Sequence, residues 1–212
     1  MIIAIDGPAG SGKSTTSKLV ANRLGISHLD TGSMYRAITV HFIKNSYSLD
    51  SIDVSSVMDS IELEISDSSD KESVFLNGED VTGRLRSNEV SKLVSDISSV
   101  KEVRAKMVEI QRRISLNKSI VIDGRDIGTV VFPDAEFKFF LTASIHSRAK
   151  RRFDELQESY SNITLEQVEE EIKSRDYFDT TRENSPLKKA EDAITIDTTH
   201  LDVSEQVNMI LE

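Results

Sequence analysis

The chain of 212 residues contains no cysteine and only four histidines. Without thiols there are no disulfides, no thiolate metal sites and no cysteine nucleophile, and four scattered imidazoles do not make a zinc cluster. Nor is there an apolar run approaching the roughly 20 residues that a membrane helix needs, so no membrane association is expected. The start, Met1-Ile2-Ile3-Ala4-Ile5-Asp6, lacks the basic residues and cleavage site of a secretory leader, and a cytoplasmic location is expected. Positive charge is in deficit: 26 Lys and Arg against 36 Asp and Glu give a formal net charge of −10. Such a chain repels a nucleic-acid backbone, so no nucleic-acid partner is expected. Any polyanion bound here has to be small and has to meet a local concentration of basic side chains. With 38% hydrophobic and 29% charged residues, the chain can bury one substantial core with room for a small insertion.

What is present is concentrated near the start. Gly7, Pro8, Ala9, Gly10, Ser11, Gly12, Lys13, Ser14 and Thr15 directly follow the apolar run Ile2 to Ile5 and fill the pattern G-x-x-x-x-G-K-[ST]. Glycines at these positions let successive backbone N–H groups turn inward on an anion. Lys13 and a following helix N-terminus complete a phosphate cradle, and the Ser14 hydroxyl is placed to ligate Mg²⁺. The chain is expected to bind a nucleoside triphosphate. A ligand-free glycine turn would not need the Lys-Ser pair.

Short apolar segments alternate with amphipathic stretches, the rhythm of a parallel α/β sheet. Strands are expected at 2–6, 119–123, 137–141 and 193–196, with a short one near His28. Helices are expected at 13–24, 33–44, 88–98, 101–116, 145–159, 165–182 and 203–211, the last two opened by the capping boxes Thr164-x-x-Gln167 and Asp202-x-x-Glu205. Between about 49 and 86 the rhythm breaks. Ile61, Leu63 and Ile65 alternate with polar residues, and Asn77-Gly78 separates two β-prone runs, the strongest short hairpin signal. A small antiparallel insertion is expected there, either a mobile substrate lid or a rigid hairpin. The Ser/Asp-rich 66–73 is read as its loop tip.

Further groups can reach phosphates. Asp30-Thr31-Gly32-Ser33-Met34-Tyr35-Arg36 reads as a strand end turning into a helix, with Thr31 or Ser33 as cap and Arg36 one turn in. Asp123-Gly124-Arg125-Asp126 follows Ile120-Val121-Ile122, and an acid ending a buried strand is where phosphate-loop enzymes hold Mg²⁺ or its waters. Arg175, Asp179 and Arg182 share one helix face, as do Arg148, Arg151 and Arg152. Each set taken alone reads first as a solvated, salt-bridged face. Together, beside one phosphate loop, they suit two polyphosphates that need neutralising.

The P-loop, the D-T-G-S-M-Y-R turn, D-G-R-D-I-G-T-V-V-F-P-D-A and K-S-R-D-Y-F-D-T-T-R-E-N-S-P-L stand in order along nearly the whole chain. Together they resemble the bacterial cytidylate kinases, a family of nucleoside monophosphate kinases. The resemblance implies an α/β P-loop nucleoside monophosphate kinase fold: a five-stranded parallel sheet flanked by helices, a small antiparallel β insertion and a short lid. It implies one domain, with a core (1–48, 87–147, 183–212), a monophosphate-binding insertion (49–86) and a lid region (148–182). The implied activity is Mg²⁺-dependent transfer of the ATP γ-phosphoryl group to CMP or dCMP in pyrimidine metabolism, by a monomer. Lys13, Arg125 and Arg175 would be catalytic. The P-loop with Arg148, Arg151 and Arg152 would bind ATP, and Ser14, with Asp123 through water, would hold the metal. Arg36, Arg125 and Arg175 would hold the acceptor phosphate beside Thr31, where many relatives have serine. Ser95, Arg104 and Asp126 would read cytosine, and Asp179 and Arg182 would lie at the sugar. A carboxylate and a guanidinium suit cytosine, whose amino donor and N3 and O2 acceptors reverse the polarity of uracil's edge. Ser95 as a plain surface serine and Arg104 as a glutamate's partner remain open.

Two other functions stay in view. A kinase of a neutral hydroxyl would need a carboxylate base, for which Asp30 is the candidate. A nucleotide-sensing module without turnover is the other; the guanine-reading N-K-x-D is absent, since Asn117-Lys118 is followed by Ser119-Ile120.

Overall fold

In the computed structural model, residues 1–68, 71–157 and 163–212 are described. They form two compact units, Met1–Leu29 with Lys118–Glu212, and Asp30–Asn117.

The first unit is built on β1 (Ile2–Asp6), whose residues 3–6 are all buried, as expected of a strand covered on both faces. It runs parallel between β6 (Ile120–Gly124) and β7 (Phe137–Thr142), with Ile5 opposite Asp123. With β2 (Ser27–Asp30) and β8 (Ile194–Asp197) the sheet order is β2-β6-β1-β7-β8. Helices α1 (Lys13–Leu24) and α8 (Val203–Leu211) close one apolar cluster in which Val20, Ala21, Val207 and Ile210 meet Ile3, Ile5, Val121 and Leu141. Helices α6 (Ile145–Gln157) and α7 (Leu165–Thr181) pack on each other through Ala149, Val168 and Ile172.

The second unit holds α2 (Thr31–Lys44), α3 (Val54–Asp59), an antiparallel sheet of β3 (Leu63–Ser68), β4 (Lys71–Leu76) and β5 (Glu79–Asp80), then α4 (Asn88–Ser99) and α5 (Lys101–Ser115). Asn77 and Gly78 take φ of 50° and 78°, the paired positive values of a tight hairpin turn, and join β4 to β5.

The expected elements are present with end shifts of one or two residues. Both capping boxes form. Three points differ. Helix α2 begins at Thr31 because Asp30, not Thr31 or Ser33, caps it, accepting from the Ser33 amide at 3.3 Å. Helix α3 was not expected; Asp53 caps it and it buries only Met58. Most of 66–73 is paired strand, Asp67 opposite Glu72 and Ser68 opposite Lys71. The tip at 69–70 and the end of the helix expected at 145–159 lie outside the described residues.

Candidate active site

After β1 the chain turns through residues 7–12 into α1. The first corner demands glycine: a Cβ on Gly7 would stand 2.0 Å from the Leu141 carbonyl oxygen. Gly12 holds φ at 91° and offers α1 no side-chain cap, whereas α2, α4, α7 and α8 are capped by Asp30, Ser87, Thr164 and Asp202. The first amides of α1 thus lack a side-chain acceptor, and an anion is the natural one. Lys13 is 6% exposed, and its ammonium donates to the Pro8 carbonyl at 2.6 Å. Burial, then the positive field of Arg125, pulls its pKa well below the ordinary lysine value; Asp123 and Asp6 oppose this and Arg175 adds to it.

Ser14 Oγ donates to Asp123 Oδ2 at 2.7 Å, and His28 Nε2 lies 2.8 Å from Asp123 Oδ1. A hydroxyl beside a carboxylate is an all-oxygen pair of the kind a hard divalent cation takes, so these residues fit Mg²⁺. His28 orients the carboxylate from behind.

Asp179 gathers three arginines. Its Oδ2 lies 2.9 Å from Arg125 Nε and 4.0 Å from Arg175 Nε, and its Oδ1 lies 3.8 Å from Arg182 Nη1. Burial alone would push the Asp179 carboxyl up, but Arg125 first, then Arg175 and Arg182, hold it below the usual range. Burial also disfavours the Arg125 charge, but Asp179 first, then Asp176 and Asp123, more than restore it, so the Arg125 pKa is raised. The Asp179 and Arg182 side chains are each only 4% exposed, which excludes a solvated helix face for that pair. Arg182 stands just past α7, where its Nε and Nη2 donate to Ser185 O at 2.9 and 2.7 Å.

Arg148, Arg151 and Arg152 do not act as one face. Arg148 is buried, donating to Ala9 O at 3.0 Å and pairing with Asp176 at 2.6 Å. Arg151 bonds Thr198, while Arg152 pairs with Glu155 at the surface.

The remaining expected residues lie in the second unit. Thr31 is buried at the start of α2, and Arg36 is half-buried one turn on. Arg104 is buried on α5, where Nη1 donates to Ser98 O at 3.2 Å and the guanidinium lies 5.4 Å from the Tyr35 ring centre. Ser95 is half-buried on α4.

Several residues that build the site were not expected from the sequence. Asp6, buried at the end of β1, accepts the Ile127 and Gly128 amides. Thr198 Oγ1 donates to Ser11 O at 3.0 Å, and Gln206 Oε1 accepts from Thr16 Oγ1 at 2.8 Å, so the loop is supported from the last strand and helix. His28 and Asp176 join this group. Only Asp6 carried a signal, an acid ending an apolar strand as Asp123 does.

The family model for cytidylate kinase matches residues 3–212. A cytidylate kinase of Caldicellulosiruptor saccharolyticus is 48% identical over 211 residues, covering 99% of this chain and 93% of the relative. One of Halalkalibacterium halodurans is 49% identical over 212 residues, covering 100% and 96%. Among solved structures, an uncharacterised protein from Eubacterium ventriosum superposes with a TM-score of 0.53 at 16% identity, covering 100% of this chain and 96% of that one. A gluconokinase from Sinorhizobium meliloti gives 0.51 at 11%, covering 99% and 88%. At these identities the structural likeness shows the fold alone.

Proposed function

Because the chain belongs to the cytidylate kinase family, we propose that it transfers the γ-phosphoryl group of ATP, with Mg²⁺, to the 5′-phosphate of CMP or dCMP, giving ADP and CDP or dCDP. The observation that carries this is the convergence of Arg125, Arg175 and Arg182 on the single buried carboxylate of Asp179, with Arg125 and Arg175 also acting on Lys13. Asp176 and Asp123 also act on Arg125, and Asp123 and Asp6 on Lys13, so the cluster is held together by several carboxylates. Guanidinium groups gathered beside a phosphate loop suit two phosphorylated ligands.

The acceptor oxygen is already anionic near neutral pH, so its attack needs no strong general base, and positioning with charge neutralisation supplies the catalysis. Lys13, Arg125 and Arg175 would stabilise charge on the transferred group. The P-loop amides and the uncapped start of α1 would hold the donor's phosphates, and Arg148, on Ala9 O, would brace the loop. Ser14 and Asp123, the latter through water, would hold Mg²⁺, which bridges and neutralises donor phosphates when bound. Thr31, Arg36, Arg125 and Arg175 would take the acceptor phosphate, Ser95, Arg104 and Asp126 the cytosine, and Asp179 and Arg182 the sugar. Segments 49–86 and 148–182 would serve as monophosphate-binding insertion and lid, excluding water that would otherwise hydrolyse ATP. The same reading has the protein acting as a monomer in the cytoplasm; among the described residues no helix is long and apolar enough to cross a membrane.

A neutral-hydroxyl acceptor loses support from Asp30, whose carboxylate accepts from the Ser33 amide and, at 2.9 Å, from Ser33 Oγ in capping α2. The test is ATP consumption with CMP, dCMP, UMP, AMP, GMP and no acceptor, each with and without Mg²⁺. Turnover with CMP and dCMP that requires the metal is expected; ATP hydrolysis indifferent to the acceptor would overturn the proposal.

A further inference from the structure

Asp6 is 4% exposed and is followed directly by Gly7 of the phosphate loop. Its Oδ1 accepts the Ile127 amide and its Oδ2 the Gly128 amide, both at 2.8 Å. These amides open the short wide helical turn Ile127–Val131, and the first donors of a helical turn have no partner within it. The usual remedy is a side chain at the capping position, for which aspartate is among the best. Asp126 occupies that position and makes no such bond, although its carbonyl accepts from Val130 and Val131 at 2.9 and 3.2 Å. A second buried aspartate, 120 positions away in the chain, does the capping instead.

The substitution is electrostatically costly. Desolvation, with a further push from the charge of Asp126, outweighs the two amide bonds and Lys13 and raises the Asp6 pKa to about 6. Had Asp126 capped its own turn, no second carboxylate would need to be buried. Local stability alone does not explain the arrangement.

We infer that Asp6 is the positioning residue of the acceptor site: by capping the turn at Ile127 and Gly128 it keeps the Asp126 carboxylate out of the cap and aims it at the amino group of the acceptor's base. This rests on the proposed CMP acceptor. It makes the end of β1 serve two substrates, since the strand that launches the donor's loop also fixes the acceptor's base reader.

The test uses the full chain with Asp6→Asn, in which one accepting oxygen becomes an amino group that cannot accept an N–H. Losing a hydrogen bond to a charged group is expected to raise KM for CMP about 10- to 100-fold, well beyond any rise in KM for ATP from the lost charge beside Lys13. Hydrogen exchange at Ile127 and Gly128 should accelerate. In an Asp126→Ala background, Asp6→Asn should add less than about twofold to KM for CMP, because the group it positions is gone. Asp6→Ser, which keeps an acceptor for one amide, is measured in the same way and carries the test if Asp6→Asn does not fold. Equal rises in both KM values, or full additivity with Asp126→Ala, would show a merely structural tether and overturn the inference. A wild-type protein that binds no CMP would overturn the proposed acceptor and this role with it; CMP binding that is normal in wild type and unmoved in both Asp6 variants overturns this role alone.

Discussion

Replacing Asp6 by asparagine removes a charge the fold holds at a cost, and the size of that cost follows from its titration. The carboxyl ionises at 3.8 ordinarily and at about 6 in the folded chain, because burial outweighs the Ile127 and Gly128 amides and Lys13 while Asp126 repels it. A gap of about 2 units corresponds to about 3 kcal/mol. Between these two values the folded state binds more protons than the unfolded one, so the Asp6 contribution to stability falls as pH rises from about 4 to 6 and stays low above it. Asparagine does not titrate. The stability of Asp6→Asn relative to wild type should therefore climb by about 3 kcal/mol between about pH 3 and 7. Asp179, held below its ordinary value, works in the opposite sense: its stabilisation is present above the unfolded pKa and is lost as pH falls through the folded one. That term is common to both proteins and cancels in the difference. Urea denaturation of both at a series of pH values measures it. A difference independent of pH, or one that shrinks as pH rises, would refute the reasoning. With the kinetic loss expected above, the variant would gain stability relative to wild type as pH rises while holding CMP more poorly.

Lys13→Ala should keep the fold, since it removes a buried ammonium whose charge burial already disfavours, yet lower kcat about 10³-fold in steady-state assays. Arg175→Ala should reduce kcat/KM for CMP with little change in Tm, whereas Arg182→Ala should reduce both, because the 4%-exposed Arg182 side chain also holds Ser185 O. Gln206→Ala should cost about 1 to 3 kcal/mol in thermal unfolding and raise KM for ATP, because Thr16 Oγ1 loses its acceptor beside the phosphate loop.

How far the sequence carried depends on how local each signal is. The P-loop is nine consecutive residues, and the capping boxes span four, so both could be read directly. The hairpin turn at Asn77-Gly78 was equally local. Helix α3 escaped because its only buried side chain is Met58 and its Asp/Ser-rich start reads as loop. The cap of α2 was expected at Thr31 or Ser33, because serine and threonine are capping types too, and only the folded contacts of Asp30 identify it as the cap. At the site, the arginine cluster was legible from helical spacing for Arg175, Asp179 and Arg182, but Arg125 joins it across 54 positions. His28 on Asp123 spans 95 positions and Gln206 on Thr16 spans 190. No periodicity reports contacts made by folding at such distances.

The bonds from Thr198 to Ser11 and from Gln206 to Thr16 also bear on synthesis. Synthesis runs from the N-terminal side, so the phosphate loop emerges 187 to 190 positions ahead of the residues that support it. The parallel pairing of β1 with β6 and β7 must wait in the same way for residues 120 to 142. Domains gain non-local pairings only when both partners are available. Throughout elongation the loop is therefore an unsupported glycine-rich segment, and nascent or prematurely terminated chains ending before Gln206 lack part of the nucleotide site's frame. Loss of the segment that carries Thr198 and Gln206 would remove support from a motif nearly the whole described chain away.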